Sequence, residues 1–268
     1  VSCGIWRPVT LVECAARILD VHIQQEWSDE SIELTVTTQF EGEGVVPLHR
    51  ILGADGGPIW RRDGKVAMEE TEFWSPENPN VLKVWTELFS EKDAEWLLSE
   101  QPEGLTDEES SIDYRVTNFG LTQVKLVREP DEYGESFEFF VNGEPVWARG
   151  ANWIPDHSFP SIVDEERLRD RLGKAKDLGF NMLRVWGGGL YETDEFYNIC
   201  DELGILVWQD FPFGCAYYPD DEPWQDVIRH EASVNIKRLR NHPCLALWCG
   251  NNENLEMFMN QWGGPDVQ

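Results

Sequence analysis

Residues 181–210 read NMLRVWGGGLYETDEFYNICDELGILVWQD, and this run decides the fold class. Asn181 to Val185 is a short apolar strand of the kind buried on both faces. Gly187-Gly188-Gly189 interrupts it. Thr193 then opens a helix that runs to Leu203. Its hydroxyl suits the N-cap, and Asp194 and Glu195 complement the positive start of the helix. Gly204 stops the helix, and Ile205 to Trp208 is the next buried strand. Strand, helix and strand in such short succession make a βαβ unit, which requires a parallel sheet.

The pattern extends in both directions. Upstream, Asp164 to Leu178 has a helical period, with Leu168, Leu172, Ala175 and Leu178 on one side and Gly179 as its stop. Before it, Phe137 to Phe140 and Val146 to Arg149 flank Asn142-Gly143, a strong hairpin signal. Val146 to Arg149 is also the expected first strand of the parallel series. Downstream, Glu222 to Arg240 is a third helix with Pro223 in its first turn. Leu245 to Trp248 is a fourth strand, and Asn254 begins another helix. Units of this kind close as a (β/α)₈ barrel of about 250 residues or as a doubly wound sheet. The pattern covers only the second half of the chain. A small doubly wound sheet suits that length, and a barrel would stop near its fourth strand.

The first 130 residues read as β structure. Ser31 to Phe40 and Val81 to Phe89 alternate apolar and polar. Ser111 to Thr117 and Leu121 to Val127 form a further pair around the Asn118-Phe119-Gly120 turn. Short strands punctuated by Gly, Asp, Asn and Pro predict an antiparallel sandwich. The acidic runs Ser99 to Ser110, Asp29-Glu30 and Glu41 to Gly44 read as solvated loops.

What favours a barrel is the chemistry at the strand ends, where barrel active sites lie. These ends read Arg149-Gly-Ala-Asn-Trp-Ile-Pro155, Arg184-Val-Trp-Gly-Gly-Gly189, Trp208-Gln-Asp-Phe-Pro212 and Trp248-Cys-Gly-Asn-Asn-Glu253. Each combines an aromatic residue with Asn, Arg, Asp or Glu. Aromatic faces stack on sugar rings and fixed polar groups bind hydroxyls. A carboxyl just beyond a strand suits protonation of a glycosidic oxygen. Plainer readings stand beside these. Asp210 caps a helix or pairs with a cation, Arg184 forms a structural ion pair, and Glu253 complements a helix dipole. The glycine run lacks either phosphate-loop spacing, and His157, His230 and His242 lack metal-ligand spacing. No metal and no organic cofactor is expected.

Composition narrows the partners. Fifty acidic residues face 22 basic ones, for a net charge of −28. Such a surface repels nucleic acid and anionic membranes. It fits an acidic mesophilic enzyme or a protein adapted to molar salt, where charge is screened within about 3 Å. No apolar run approaches the roughly 18 residues of a membrane span. The start, VSCGIWRPVT, has no signal-peptide pattern and reads as the middle of a strand in a longer protein. The six cysteines match no disulfide scaffold or zinc pattern, and are expected as free, mostly buried thiols in a reducing, cytoplasmic setting.

Three stretches, RGANWIPDHSFP (149–160), FNMLRVWGGGLYETDEFYNICDELGILVWQDFPFGCAYYP (180–219) and NHPCLALWCGNNEN (241–254), resemble the β-mannosidases of glycoside hydrolase family 2. CGIWRPVTL (3–11) is similar to the last strand of that family's jelly-roll domain. Trp74-Ser-Pro76 with Val81 to Phe89 resembles its immunoglobulin-like domain. The resemblance implies a multidomain β plus α/β chain. Residues 1–12 would end a jelly roll, 13–130 would form an immunoglobulin-like β-sandwich, and 131–268 would form the first half of a (β/α)₈ TIM barrel.

The implied activity is retaining, exo-acting removal of terminal non-reducing β-D-mannose from β-mannosides or manno-oligosaccharides. Glu253 matches the general acid/base, and Asn252 the residue that holds the sugar 2-hydroxyl. Arg184, Trp186 and Asp210 match subsite residues, with Asn152 and Trp153 lining the same pocket. The family's nucleophile is a second Glu on a later strand, so the 268 residues alone are expected to be inactive. Another family 2 glycosidase, an exo-β-glucosaminidase or a β-galactosidase, is the nearby alternative. A non-catalytic carbohydrate-binding relative is the more distant one.

Overall fold

The computed structural model describes residues 4–5, 7–28, 31–52, 58–68, 72–100 and 111–260. Asp29-Glu30, residues 101–110 of the acidic run, and Cys3 and Trp6 of the N-terminal motif lie outside these. The chain divides into two compact units that interleave in sequence: Val9–Phe73 with Asn80–Leu121, and Val1–Pro8 with Trp74–Pro79 and Thr122–Gln268.

The first unit is all antiparallel apart from one helix. Strands β1 (Arg17–Trp27), β2 (Ile32–Glu41) and β5 (Lys65–Met68) form one sheet in the order β1-β2-β5. Strands β3 (Val45–Leu52), β4 (Pro58–Arg61), β6 (Leu82–Ser90) and β7 (Asp113–Phe119) form a second, in the order β4-β3-β6-β7. Alternation puts Ile32, Leu34 and Val36 of β2 on one face, where they meet Ile51, Val84, Leu88 and Phe119 of the other sheet in one core. Helix α1 (Glu91–Glu100) covers the outer face of the second sheet. Its Ala94 and Leu97 pack there with Val46, Leu48, Trp60 and Phe89. Part of the expected acidic loop, Ser99 and Glu100, therefore belongs to this helix.

Four expectations need correction here. The strands around Asn118-Phe119-Gly120 are not a pair: β7 pairs with β6, whereas β8 (Val124–Val127) pairs with β9 (Glu138–Val141). Phe119 and Leu121 are both drawn into the sandwich core, so the unit boundary falls at Leu121 rather than near residue 130. Trp74-Ser-Pro76 joins the second unit, because the Trp74 ring is wholly buried there and its Nε1 donates to the Asp201 carbonyl at 2.8 Å. The described residues between Arg7 and Cys14 form no strand.

In the second unit, β9 and β10 (Glu144–Val146) make the expected hairpin. Asn142 and Gly143 both have positive φ, 53° and 86°, as a two-residue turn of the mirror-image type I′ demands. A four-stranded parallel sheet follows: β11 (Gly150–Trp153), β12 (Met182–Val185), β13 (Leu206–Asp210) and β14 (Leu245–Cys249), in sequence order. The first parallel strand is thus β11 rather than Val146 to Arg149. The chain before it is tied down by Asn181, whose Oδ1 accepts from Arg149 N at 2.7 Å and whose Nδ2 donates to the Trp147 carbonyl at 3.0 Å.

Helices α2 (Glu165–Asp177), α3 (Asp194–Leu203) and α4 (Glu222–Leu239) connect the strands, and α5 (Asn254–Asn260) follows β14. Asp164 caps α2 by accepting from Arg167 N at 2.9 Å. Gly204 ends α3 in the left-handed conformation at φ 66°. Leu168 and Leu172 of α2 and Phe196, Tyr197, Ile199 and Cys200 of α3 are buried with the strand residues Leu183, Val185, Leu206 and Val207.

Candidate active site

Parallel register brings the polar strand-end residues together. Asn152 lies opposite Arg184 in the β11–β12 ladder, and Asp210 ends β13 opposite Cys249 of β14. Arg184 occupies the centre. Its Nε and Nη2 donate to Oδ1 and Oδ2 of Asp210 at 3.1 and 2.6 Å, a two-point grip. Nη2 also donates to Asn252 Oδ1 at 2.8 Å, and Nη1 to Asn152 Oδ1 at 3.3 Å. The guanidinium lies 5.7 Å from the Trp208 ring centroid. Four sequence-expected residues, one from each strand or strand end, are therefore joined by one cation.

Asp210 is the best-satisfied member. Its side chain is 0% exposed, against 25% for Arg184. Besides Arg184 it accepts from Gly187 N at 3.0 Å and from Trp208 Nε1 at 3.0 Å. A buried carboxylate with four donors is held in one orientation. Gly187 is required for this approach: a Cβ there would lie 2.8 Å from the Phe211 and Phe213 carbonyls. Behind Asp210, Gln209 Nε2 donates to the Asp210 carbonyl at 2.8 Å, and Tyr197 Oη donates to Gln209 Oε1 at 2.6 Å.

The aromatic residues take defined places. Trp186 is half-buried and folds over Gly188, where a Cβ would strike its ring at 2.0 Å. Trp153 Nε1 donates to Glu192 Oε1 at 3.0 Å, and the Trp153 ring meets Phe196 at 5.0 Å. Burial pushes the Glu192 carboxyl above its ordinary range, and the Trp153 hydrogen bond partly opposes that shift. Phe211 stacks on Trp248 at 5.1 Å.

Glu253 stands exposed after β14, immediately before α5. Its φ is +60°, a left-handed conformation that side chains other than glycine seldom adopt. Such strain persists where the surroundings impose it, often at functional positions. Asn252 is buried beside it and donates from Nδ2 to Glu253 Oε2 at 3.3 Å. One Asn side chain therefore links Arg184 to Glu253. All seven residues expected at the site lie at or just beyond the ends of these strands. Asn152 and Trp153 sit on β11 itself rather than after it.

Several participants were not singled out from sequence. Glu192, Gln209 and Tyr197 support the site from behind, and Cys215 touches Glu253. The Cys215 thiol donates to Glu253 Oε2 at 3.3 Å and accepts from Asn252 Nδ2 at 3.3 Å. A cysteine five residues beyond the strand-end Asp210 was the available signal. The thiols are less buried than expected: Cys200 and Cys244 are buried, Cys249 is intermediate, and Cys14 and Cys215 are exposed. None of these five is in a disulfide.

No family model matches the chain. It is 34% identical over 261 residues to β-mannosidase B of Aspergillus fumigatus, covering 96% of this chain and 30% of that protein. Against the β-mannosidase of Capra hircus it is 49% identical over 141 residues, 52% of this chain and 16% of the other. The crystal structure of β-D-mannosidase from Dictyoglomus thermophilum superposes with a TM-score of 0.78 at 37% identity, over 95% of this chain and 31% of that one. The chain is a relative of the β-mannosidases. It spans less than a third of the length of those β-mannosidases. The fold is shared more widely: a β-glucuronidase from Parabacteroides merdae superposes with a TM-score of 0.70 at 19% identity, covering 90% of this chain and 29% of that one.

Proposed function

We propose that this chain carries the acid/base side of the active site of a retaining, exo-acting β-mannosidase, with Glu253 as general acid/base. The observation that carries the reading is the Arg184–Asp210–Asn252–Glu253 network at the ends of the parallel strands, in a chain similar to β-mannosidases over nearly its whole length. In this reading the four strands are the first half of a (β/α)₈ barrel. The seven-strand sandwich, with sheet orders β1-β2-β5 and β4-β3-β6-β7, is immunoglobulin-like.

Catalysis divides between positioning and proton transfer. Glu253 donates its proton to the glycosidic oxygen as the bond to the anomeric carbon breaks, then takes one from the incoming water. Asn252, fixed by Arg184, faces the 2-hydroxyl, where hydrogen bonds strengthen most in the transition state. Trp186 and Trp153 supply apolar faces for the ring, and Asn152 an exposed polar group. Retention needs a second carboxylate about 5–5.5 Å from the first. Asp210 accepts from Arg184, Gly187 and Trp208, and Glu192 from Trp153. In this reading the nucleophile is the second Glu that the resemblance implies on a later strand, outside the described residues.

The net charge of −28 supports a protein adapted to high salt, and the unbridged thiols support a reducing, cytoplasmic setting. The test is hydrolysis of aryl β-mannoside, β-glucoside, β-galactoside and β-glucosaminide by the protein expressed from its complete coding sequence, in high salt. Preference for the mannoside is expected. Turnover of only another glycoside moves the substrate to a different family 2 activity, and turnover of none with retained mannose binding rejects the enzyme reading.

A further inference from the structure

The loop after β13 is joined to the start of α5 by a backbone clasp. Asn252 N donates to the Phe213 carbonyl at 2.7 Å, and Cys215 N donates to the Asn252 carbonyl at 3.0 Å. Gly214 and Asn252 thereby form one parallel bridge beyond the last rung of β13 and β14. The clasp sets two left-handed residues side by side, Cys215 at φ 46° and Glu253 at φ 60°. Neither is a glycine, so each conformation is one that a side chain seldom adopts.

Their side chains close a triangle with Asn252. Cys215 Sγ to Glu253 Oε2, Asn252 Nδ2 to Glu253 Oε2 and Asn252 Nδ2 to Cys215 Sγ are each 3.3 Å. The thiol accepts from Asn252 Nδ2, and its one hydrogen has two acceptors in reach, Glu253 Oε2 at 3.3 Å and the Asn252 carbonyl at 3.9 Å, of which the carboxylate is the nearer. Both of these contacts to the Glu253 carboxylate fall on Oε2.

Building on the acid/base reading of Glu253, we propose that Cys215 is a positioning residue: its thiol and the Asn252 amide hold Oε2, so that Oε1 is presented as the atom that protonates the glycosidic oxygen. The sulfur does not touch the reacting atoms. It fixes the rotation of the carboxylate about its last bond, a terminal torsion that is otherwise broad. The same hydrogen bond acts back on the thiol, whose pKa lies above the ordinary cysteine range chiefly because Glu253 accepts its proton.

The experiment compares kcat/KM for a series of aryl β-mannosides, from good to poor leaving groups, in the complete enzyme. Cys215→Ala removes the donor, and Cys215→Ser keeps an O–H in its place. Cys215→Ala is expected to raise the ratio of rates between the best and poorest leaving groups at least about tenfold, since misoriented groups lose factors of ten to a hundred. Cys215→Ser is expected to return most of that ratio. An equal loss across the series in Cys215→Ala, or no recovery in Cys215→Ser with an unchanged melting temperature, overturns the proposal.

Glu253→Ala, with and without azide, separates this outcome from failure of the underlying reading. If Glu253→Ala lacks the leaving-group signature and azide restores nothing, Glu253 is not the acid/base and the reading itself fails. If Glu253→Ala shows the signature and Cys215→Ala does not, only the role of Cys215 falls.

Discussion

The Arg184–Asp210 pair permits a quantitative test of how the site is built. Asp210→Asn keeps the shape of the side chain and removes its charge. The carboxylate accepts four hydrogen bonds, two from Arg184 and one each from Gly187 N and Trp208 Nε1. An amide offers one oxygen and turns an N–H₂ toward the remaining donors. Arg184, a quarter exposed, is left without its counter-ion. Removing one partner of a buried pair costs about 3–5 kcal/mol. Arg184 keeps 25% exposure and two neutral acceptors, Asn152 and Asn252, so the expected loss is near the lower end, about 3 kcal/mol. Arg184→Met should cost at least as much, because it strands the wholly buried carboxylate. The double variant should cost clearly less than the sum, since paired charges exchange for apolar groups at little net expense. Urea denaturation of the four proteins gives the coupling energy. Hydrogen exchange of the peptide containing Gly187 gives a local readout, because its amide donates to Asp210. Additivity within about 0.5 kcal/mol would refute the reasoning, for it would mean that the two side chains do not stabilise each other.

Three further outcomes are expected. His49 is buried and bonded to Thr86 Oγ1, and desolvation lowers its pKa from 6.5 to about 4 although Asp63 opposes the shift. Its folded pKa lies below the unfolded one, so the sandwich unit should lose up to about 3 kcal/mol as pH falls from about 6.5 to about 4, and His49→Gln should flatten that limb of an acid denaturation series. Glu192 has the opposite sign: its folded pKa is raised, so stability should fall as pH rises above the ordinary carboxylate range, and Glu192→Gln should remove the slope while keeping an acceptor for Trp153. With a net charge of −28, the melting temperature should rise as KCl goes from 0.1 to 2 M, the screening length falling from about 10 Å to less than about 3 Å; a flat response would reject the high-salt reading.

What sequence revealed, and what it concealed, follows physical lines. The parallel unit was legible because period and stops agree there: Gly204 ends α3 in the left-handed conformation and Asn142-Gly143 turns the hairpin, whereas Thr193 sits at the N-cap of α3 without a side-chain capping bond and it is Asp164 that caps α2. The errors concern partner choice. Asn118-Phe119-Gly120 reads as a turn, but Asn118 and Phe119 are the last residues of β7, paired with Lys83 and Leu82 of β6, and burial of Phe119 and Leu121 in the sandwich goes with β7 and β8 parting company. Helix α1 escaped because EKDAEWLLSE is short and charged and sits in a strand-rich region, with Ala94 and Leu97, and partly Leu98, drawn into a core. Trp74 reads as a sandwich residue until its indole is seen against the end of α3.

The site residues make a different point. The plainer reading of Arg184 and Asp210, a structural ion pair, is correct as geometry: they are bonded twice. Yet the same guanidinium holds Asn252, and Asn252 holds Glu253. The structural and functional readings therefore do not compete, because the ion pair is the means by which the sheet fixes the orientation of a residue one step from the proposed chemistry. The role of Cys215 was not legible for a related reason. Its contact with Glu253 depends on two non-glycine residues adopting positive φ, and that follows from the backbone clasp between Phe213, Cys215 and Asn252 rather than from either residue's own preference. A pattern of side-chain types can announce which groups a site contains. Which oxygen of a carboxylate is left free is decided by backbone hydrogen bonds, and these appear only once the strands are in register.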